Sequence, residues 1–263
     1  MLINQFPDKA DFRQLAEKYN VIPVYVEVLA DTETPVSLLK KIYKDKGPVF
    51  LLESVEGGER WGRYSFMSGS ARASIRVYSD VVEVQENGET RKIPHNNDPL
   101  SILRDLMSNY RPAQVPGLPR FWGGMVGYLT YEMVSFFEAI PNKMPKDKPI
   151  AHFIIPDELL IFDNIRNTLI GVVIAFPKNH ADVDDAFEAA KNRVNNLMKA
   201  MEICLSDINK PTGNEKFELA PVREPGRYES LVKKTKEYIK AGDIIQSVIS
   251  HSFVCEPAPD LWS

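Results

Sequence analysis

HFIIPDELLIFDNIRNTLIGVVIAF, His152–Phe176, decides how this chain folds. Two apolar runs, His152–Phe162 and Thr168–Phe176, flank the polar segment Asp163–Asn167. Such runs predict strands, and a short polar turn between them returns the chain beside itself. The same rhythm recurs on the N-terminal side. Ala71–Tyr78 and Val81–Gln85 flank a Ser-Asp turn and predict a hairpin. Ile22–Leu29, Val49–Leu52 and Phe121–Tyr131 are further strand candidates. Short turns join the strands more often than crossover helices do. The predicted class is α+β, mainly antiparallel β-sheets with helices packed outside.

The helices announce themselves by caps and spacing. Asp8–Tyr19 puts Phe12, Leu15 and Tyr19 on one face. Thr34 is an N-cap followed by Pro35, with Leu38, Leu39 and Ile42 at helical spacing; Asp98-Pro99 repeats the device before Leu100, Leu103, Met107 and Tyr110. In Asp182–Leu205 the positions Phe187, Ala190, Val194, Leu197 and Met201 form a stripe. A partner-binding seam and a helix packed on a sheet both explain that stripe, and packing is the favoured account. Ser206–Glu224 is polar, holds Pro211, Gly213 and Pro221, and reads as a linker.

Beyond it, Pro225–Ala241 predicts a helix with Tyr228, Leu231, Val232, Thr235, Tyr238 and Ile239 on one side. AGDIIQSVISHSF, Ala241–Phe253, then reads as a helix end, a turn and a buried strand carrying one amide, Gln246. A buried strand needs neighbours on both sides, and none follows it. The expected organisation is a region over 1–205, a linker over 206–224, and an incomplete domain over 225–263, the front part of a longer protein.

Bulk properties exclude some roles. The 263 residues are 44% hydrophobic and 26% charged with a net charge of −4, ordinary for a soluble globular protein. Lys143, Lys146 and Lys148 are broken by Pro145 and Asp147, a solvated loop rather than a nucleic-acid site. No run reaches membrane-spanning length and the N-terminus lacks a secretory pattern, so the expectation is a cytoplasmic protein with no nucleic-acid or membrane partner. Cys204 and Cys255 sit in no CxxC pair and read as reduced thiols. His95, His152, His180 and His251 lack metal-ligand spacing and read as surface or strand residues.

Three segments carry chemistry. In the first, LLES (Leu51–Ser54) ends a strand in a carboxylate and a hydroxyl. A Gly57-Gly58 turn then brings back Arg60, Arg63, Tyr64 and Ser65. An amino acid needs a carboxylate for its ammonium, donors for its carboxylate and an apolar slot, and this segment holds all three. A hairpin in which Glu53 pairs with an arginine across the turn is the alternative, and on chemistry alone it weighs more. In the second, FWGGMVGYLTYE (Phe121–Glu132), the spacing does not match a dinucleotide fingerprint. Gly123, Gly124 and Gly127 there mark a bulge or close backbone approach. The third is Gln246 among Ile244, Ile245, Val248 and Ile249. It either lines a site or satisfies a neighbouring loop.

Taken in order, these segments resemble the large subunit of anthranilate synthase, component I. LLES with GRYS is similar to that family's tryptophan feedback motif, FWGGMVGYLTYE to its Gly-Gly, Gly-Tyr element, and Tyr228–Ser250 to the start of its chorismate-binding domain. Aminodeoxychorismate synthase is the nearest rival. It usually has tyrosine and asparagine where this chain has Ile245 and Val248. A non-catalytic amino-acid-binding regulatory module is the alternative from another class. The resemblance implies conversion of chorismate and ammonia to anthranilate and pyruvate in tryptophan biosynthesis. It implies a glutamine amidotransferase subunit as ammonia source, L-tryptophan as inhibitor, and Mg²⁺ held by residues this chain lacks. By the same resemblance Glu53, Ser54, Tyr64 and Ser65 contact tryptophan, and Gln246 orients the nucleophile or the ring. Related water-adding enzymes carry a lysine base at that position. An amide suits a nucleophile that arrives neutral.

Overall fold

The computed structural model of the chain describes residues 1–44, 47–53, 62–202, 218–256 and 258. The chain divides into two compact units, Met1–Ile208 and Asn209–Ser263. The first contains, in order, β1 (Leu2–Phe6), α1 (Lys9–Ala16), β2 (Ile22–Leu29), α2 (Pro35–Tyr43), β3 (Phe50–Leu52), β4 (Tyr64–Ser68), β5 (Ala73–Val77), β6 (Val81–Glu86) and β7 (Glu89–Pro94). There follow α3 (Pro99–Ser108), β8 (Val126–Leu129), β9 (Ala151–Ile155), β10 (Glu158–Asp163), β11 (Thr168–Ala175) and α4 (Val183–Lys199). One sheet has six strands in the order β1-β2-β11-β10-β4-β3, the other five in the order β7-β6-β5-β9-β8. Every strand-to-strand ladder in both is antiparallel, as the short turns predicted.

The caps fall where the sequence placed them. Asp8, Asp98 and Asp182 each accept a backbone N–H three residues on, and Thr34 forms a capping box with Ser37. β11 is buried along its whole length because it is central and covered on both faces. On one face Phe12 of α1 and Phe187 and Val194 of α4 pack on Ile22, Val24 and Val173. Further along, Leu38 and Tyr43 of α2 meet Met67, Leu160 and Leu169. The α4 stripe is thus core. On the opposite face Tyr25, Ile161, Ile170 and Val172 lie under Leu118, Phe121 and Trp122. The five-stranded sheet packs Ile75, Val77, Val82 and Val84 against Leu103 of α3.

Particular expectations fail for physical reasons. His152–Phe162 is two strands, not one. Pro156 has no N–H to give a ladder, and the chain there leaves the five-stranded sheet as β9 and enters the six-stranded sheet as β10. Phe121–Tyr131 is a strand only over Val126–Leu129. Gly124 at φ +125° turns the chain before it, and Tyr131–Phe136 coils as a 3₁₀ segment after it. β1 and β7 are edge strands, exposed along most of their length, whose sequences carry no alternation to detect. His95 is buried rather than on the surface. Its Nε2 donates to the Tyr78 carbonyl at 3.1 Å, and its Nδ1 accepts from the Asn97 N–H at 3.2 Å.

The second unit holds β12 (Leu219–Pro221), α5 (Arg227–Ala241) and β13 (Phe253–Cys255), with β12 and β13 antiparallel. Residues 206–217 of the expected linker lie outside the described residues, and its remainder includes β12. The buried strand expected around Gln246 does not form. Residues 244–250 have no strand assignment, Ile245 and Val248 are 97% and 88% exposed, and Gln246 is exposed too. No described strand pairs with this segment, so its apolar residues have no sheet to be buried in. For the same reason α5 buries none of its residues.

Candidate functional site

Leu51 and Leu52 of the LLES motif sit in β3, at the edge of the six-stranded sheet. Leu51 and Leu52 close β3, and Glu53 follows as an exposed carboxylate with no ion-pair or hydrogen-bond partner among the described residues. Ser54, Gly57, Gly58 and Arg60 lie outside the described residues. Leu52 faces Phe66 of β4, so the register leads Glu53 towards Ser65.

Tyr64 and Ser65 do not share a pocket. Strand alternation points them to opposite faces. Ser65 is fully buried, and its Oγ accepts from Asn164 Nδ2 at 3.1 Å. Tyr64 lies on the other face beside Phe66, with ring centroids 6.2 Å apart, and the Arg63 guanidinium is 4.9 Å from its ring. Burial raises the Tyr64 hydroxyl pKa, with Arg63 opposing.

Arg63 is committed elsewhere than to Glu53. Its Nε and Nη2 donate to both oxygens of Asp163, the latter at 2.7 Å. Asp163 Oδ1 also accepts the backbone N–H of Ile165 at 3.0 Å and of Arg166 at 3.2 Å. Burial pushes the Asp163 carboxyl up, but Arg63 and these two N–H groups outweigh it and hold the pKa below the usual range. Nearby, Glu27 is 6% exposed, accepts from Thr168 Oγ1 at 2.9 Å and pairs with Arg166 at 3.3 Å. The Asp163–Thr168 turn and the adjoining end of β2 thus form an ion-paired frame under β4. Sequence reasoning treated that turn as a connector. The available signal was Glu27, a charge inside the apolar run IPVYVEVL.

Gly127 plays the predicted structural part. A Cβ there would collide with the His152 carbonyl oxygen and Phe153 Cα of β9. Gln246 stands exposed in the second unit, where nothing described gives it a hydrogen-bond partner. Among the described residues no three His, Cys, Asp or Glu side chains converge as metal ligands. No described helix is long and apolar enough to cross a membrane.

Comparison with known proteins agrees with the order of motifs. Residues 51–263 match the family model described as chorismate binding enzyme. The chain is 37% identical over 252 residues to anthranilate synthase component 1 of Aquifex aeolicus (strain VF5), covering 92% of this chain and 49% of that protein. It is 33% identical over 265 residues to the protein of the same name from Acetivibrio thermocellus, covering 95% and 52%. It therefore spans about half the length of the curated relatives it matches. The crystal structure of anthranilate synthase component I from Streptococcus pneumoniae TIGR4 superposes with a TM-score of 0.58 at 22% identity, over 88% of this chain and 49% of that one, a likeness of fold. With the β3 edge, the close approach at Gly127 and these matches in hand, the chain belongs to the chorismate binding enzyme family and resembles anthranilate synthase component I.

Proposed function

We propose that this chain contributes to an anthranilate synthase large subunit. The reaction joins chorismate and ammonia and releases anthranilate, pyruvate and water. The supporting observation is the similarity, across more than nine tenths of the chain, to relatives named anthranilate synthase component 1. A glutamine amidotransferase subunit supplies the ammonia by hydrolysing glutamine. The pathway served is tryptophan biosynthesis, and the compartment is the cytoplasm.

The described residues offer chemistry for regulation more than for turnover. Glu53 is a carboxylate at a strand end with no partner among the described residues, suited to an amino acid's ammonium group. Ser54, next in sequence, completes the proposed tryptophan contact. Ser65 and Tyr64 act differently from one another. Ser65 ties β4 to Asn164 and shapes the strand behind Glu53, while Tyr64 presents an aromatic ring on the far face. Gln246 is proposed to orient the nucleophile or ring once its segment is covered. Mg²⁺ does not fit the described residues, which bring no ligand set together. Its ligands are proposed to lie outside them, and the chain alone is proposed to be inactive.

The test is a chimera in which this sequence replaces the aligned half of the Aquifex aeolicus relative. Supplied with chorismate, ammonium and Mg²⁺, a folded chimera forms fluorescent anthranilate and is inhibited by L-tryptophan. Aminodeoxychorismate as product would overturn the assignment. Tryptophan insensitivity with intact turnover would remove the regulatory part alone.

A further inference from the structure

Where β9 and β11 end beside the C-terminus of α3, the first unit contains a cavity of about 370 Å³. It shares no residue with the Glu53 motif. Small-molecule sites span roughly 300–1,000 Å³, so the volume suits a single-ring ligand. Its walls are mainly apolar and include three aromatic rings, Tyr110, Trp122 and Phe176, with Met107. Tyr110 and Phe176 meet edge to face, centroids 6.1 Å apart at 65°, which builds a corner of fixed shape. Gly123 and Ile174 line the cavity together, so close that a Cβ on Gly123 would meet Ile174 Cδ1 at 2.8 Å.

One residue lining the cavity is charged, Arg120, and it makes no ion pair or hydrogen bond with any described residue. The other guanidinium nearby is not available in the same way. Arg72 stacks on Phe176 at 3.9 Å but is paired with Glu86 at 3.0 Å. No carboxylate lines the cavity. An apolar slot with flat aromatic walls and one unspent cation selects a flat apolar body carrying one negative charge.

We propose that this cavity binds a small planar aromatic carboxylate, its ring among Tyr110, Trp122 and Phe176 and its carboxylate on Arg120. The site is independent of the anthranilate synthase assignment. A role there does not require turnover or tryptophan binding at Glu53.

The experiment is a ¹⁹F NMR titration of 4-fluorobenzoate into the purified chain, with unlabelled benzoate as competitor. Saturable binding at about 1 mM or tighter is expected. Benzamide keeps the ring without the charge, and cyclohexanecarboxylate keeps the charge without the flat ring. Each is expected to compete roughly tenfold more weakly than benzoate. Arg120→Gln, at an exposed position, should weaken benzoate roughly tenfold and leave benzamide unchanged. Met107→Trp should fill the cavity and abolish binding of both. Thermal melts check that each variant folds. Absence of saturable binding, equal competition by benzamide, or an unchanged benzoate affinity in Arg120→Gln would overturn the proposal.

Discussion

Replacing Asp163 by asparagine removes one charge from the frame under β4 and leaves the shape almost unchanged. The asparagine oxygen can still accept the N–H groups of Ile165 and Arg166, at 3.0 and 3.2 Å from Oδ1, so the turn keeps its local bonds. What is lost is the paired contact from Arg63 Nε and Nη2, at 2.7–3.2 Å. Hydrogen bonds to charged groups contribute about 1.5–3 kcal/mol. Arg63 is 37% exposed and recovers water when its partner goes, which keeps the cost towards the lower half of that range. The expected loss is about 2 kcal/mol, or a melting-temperature drop on the order of 4–8 °C for a unit of this size. Urea unfolding followed by circular dichroism measures it as a lower midpoint at unchanged slope. The double variant with Arg63→Gln should show a coupling of about 1–2 kcal/mol. A loss below about 0.5 kcal/mol, or zero coupling, would refute the claim that this ion pair holds β4 to the turn.

Gly127→Ala drives a methyl group into the backbone of β9 and should cost more than about 2 kcal/mol in the same urea assay; a cost near zero would mean the strands can separate freely. Stability should also fall in acid. Hydrogen-bonded Arg13 holds Asp184 down to about 2, and Asp157 and Asp163 are lowered despite burial, by Arg193 and Arg63 respectively. Carboxylates whose folded pKa lies below the unfolded value of about 3.9 stabilise the fold above that pH and lose the contribution as pH falls through the folded pKa. Urea midpoints measured from pH 6 to 2.5 should hold steady down to about pH 4 and then drop, and a flat profile would contradict the ion pairs. In the chimera, Gln246→Leu should cut the ammonia-dependent rate by roughly a hundredfold while hardly moving the melting temperature; near-normal turnover would leave Gln246 without a catalytic part.

Local signals carried much of the architecture. Thr34-Pro35 and Asp98-Pro99 marked their helices because capping depends on neighbouring residues alone. The hairpin around Asp163–Asn167 was visible because apolar runs and a polar turn adjoin in sequence. Non-local facts were hidden. Nothing in HFIIPDELLIF shows that Pro156 divides two sheets, because the division depends on what packs on either side. The pairing of Arg63 with Asp163 joins residues a hundred apart in sequence, so nothing local to the motif pointed to it. The segment around Gln246 has the composition of a buried strand, but burial requires neighbours that the described residues do not provide. For Tyr64 and Ser65, adjacency in the motif suggested one pocket, whereas strand alternation separates their side chains.

The most direct test of the central claim is anthranilate fluorescence in two parallel reactions containing chorismate, ammonium and Mg²⁺. One holds the isolated chain and the other holds the folded chimera with the rest of the Aquifex aeolicus relative. The predicted result is anthranilate from the chimera and none above background from the chain alone. A folded chimera that makes no anthranilate would contradict the proposed function, and turnover by the isolated chain would contradict the claim that its described residues lack the catalytic set.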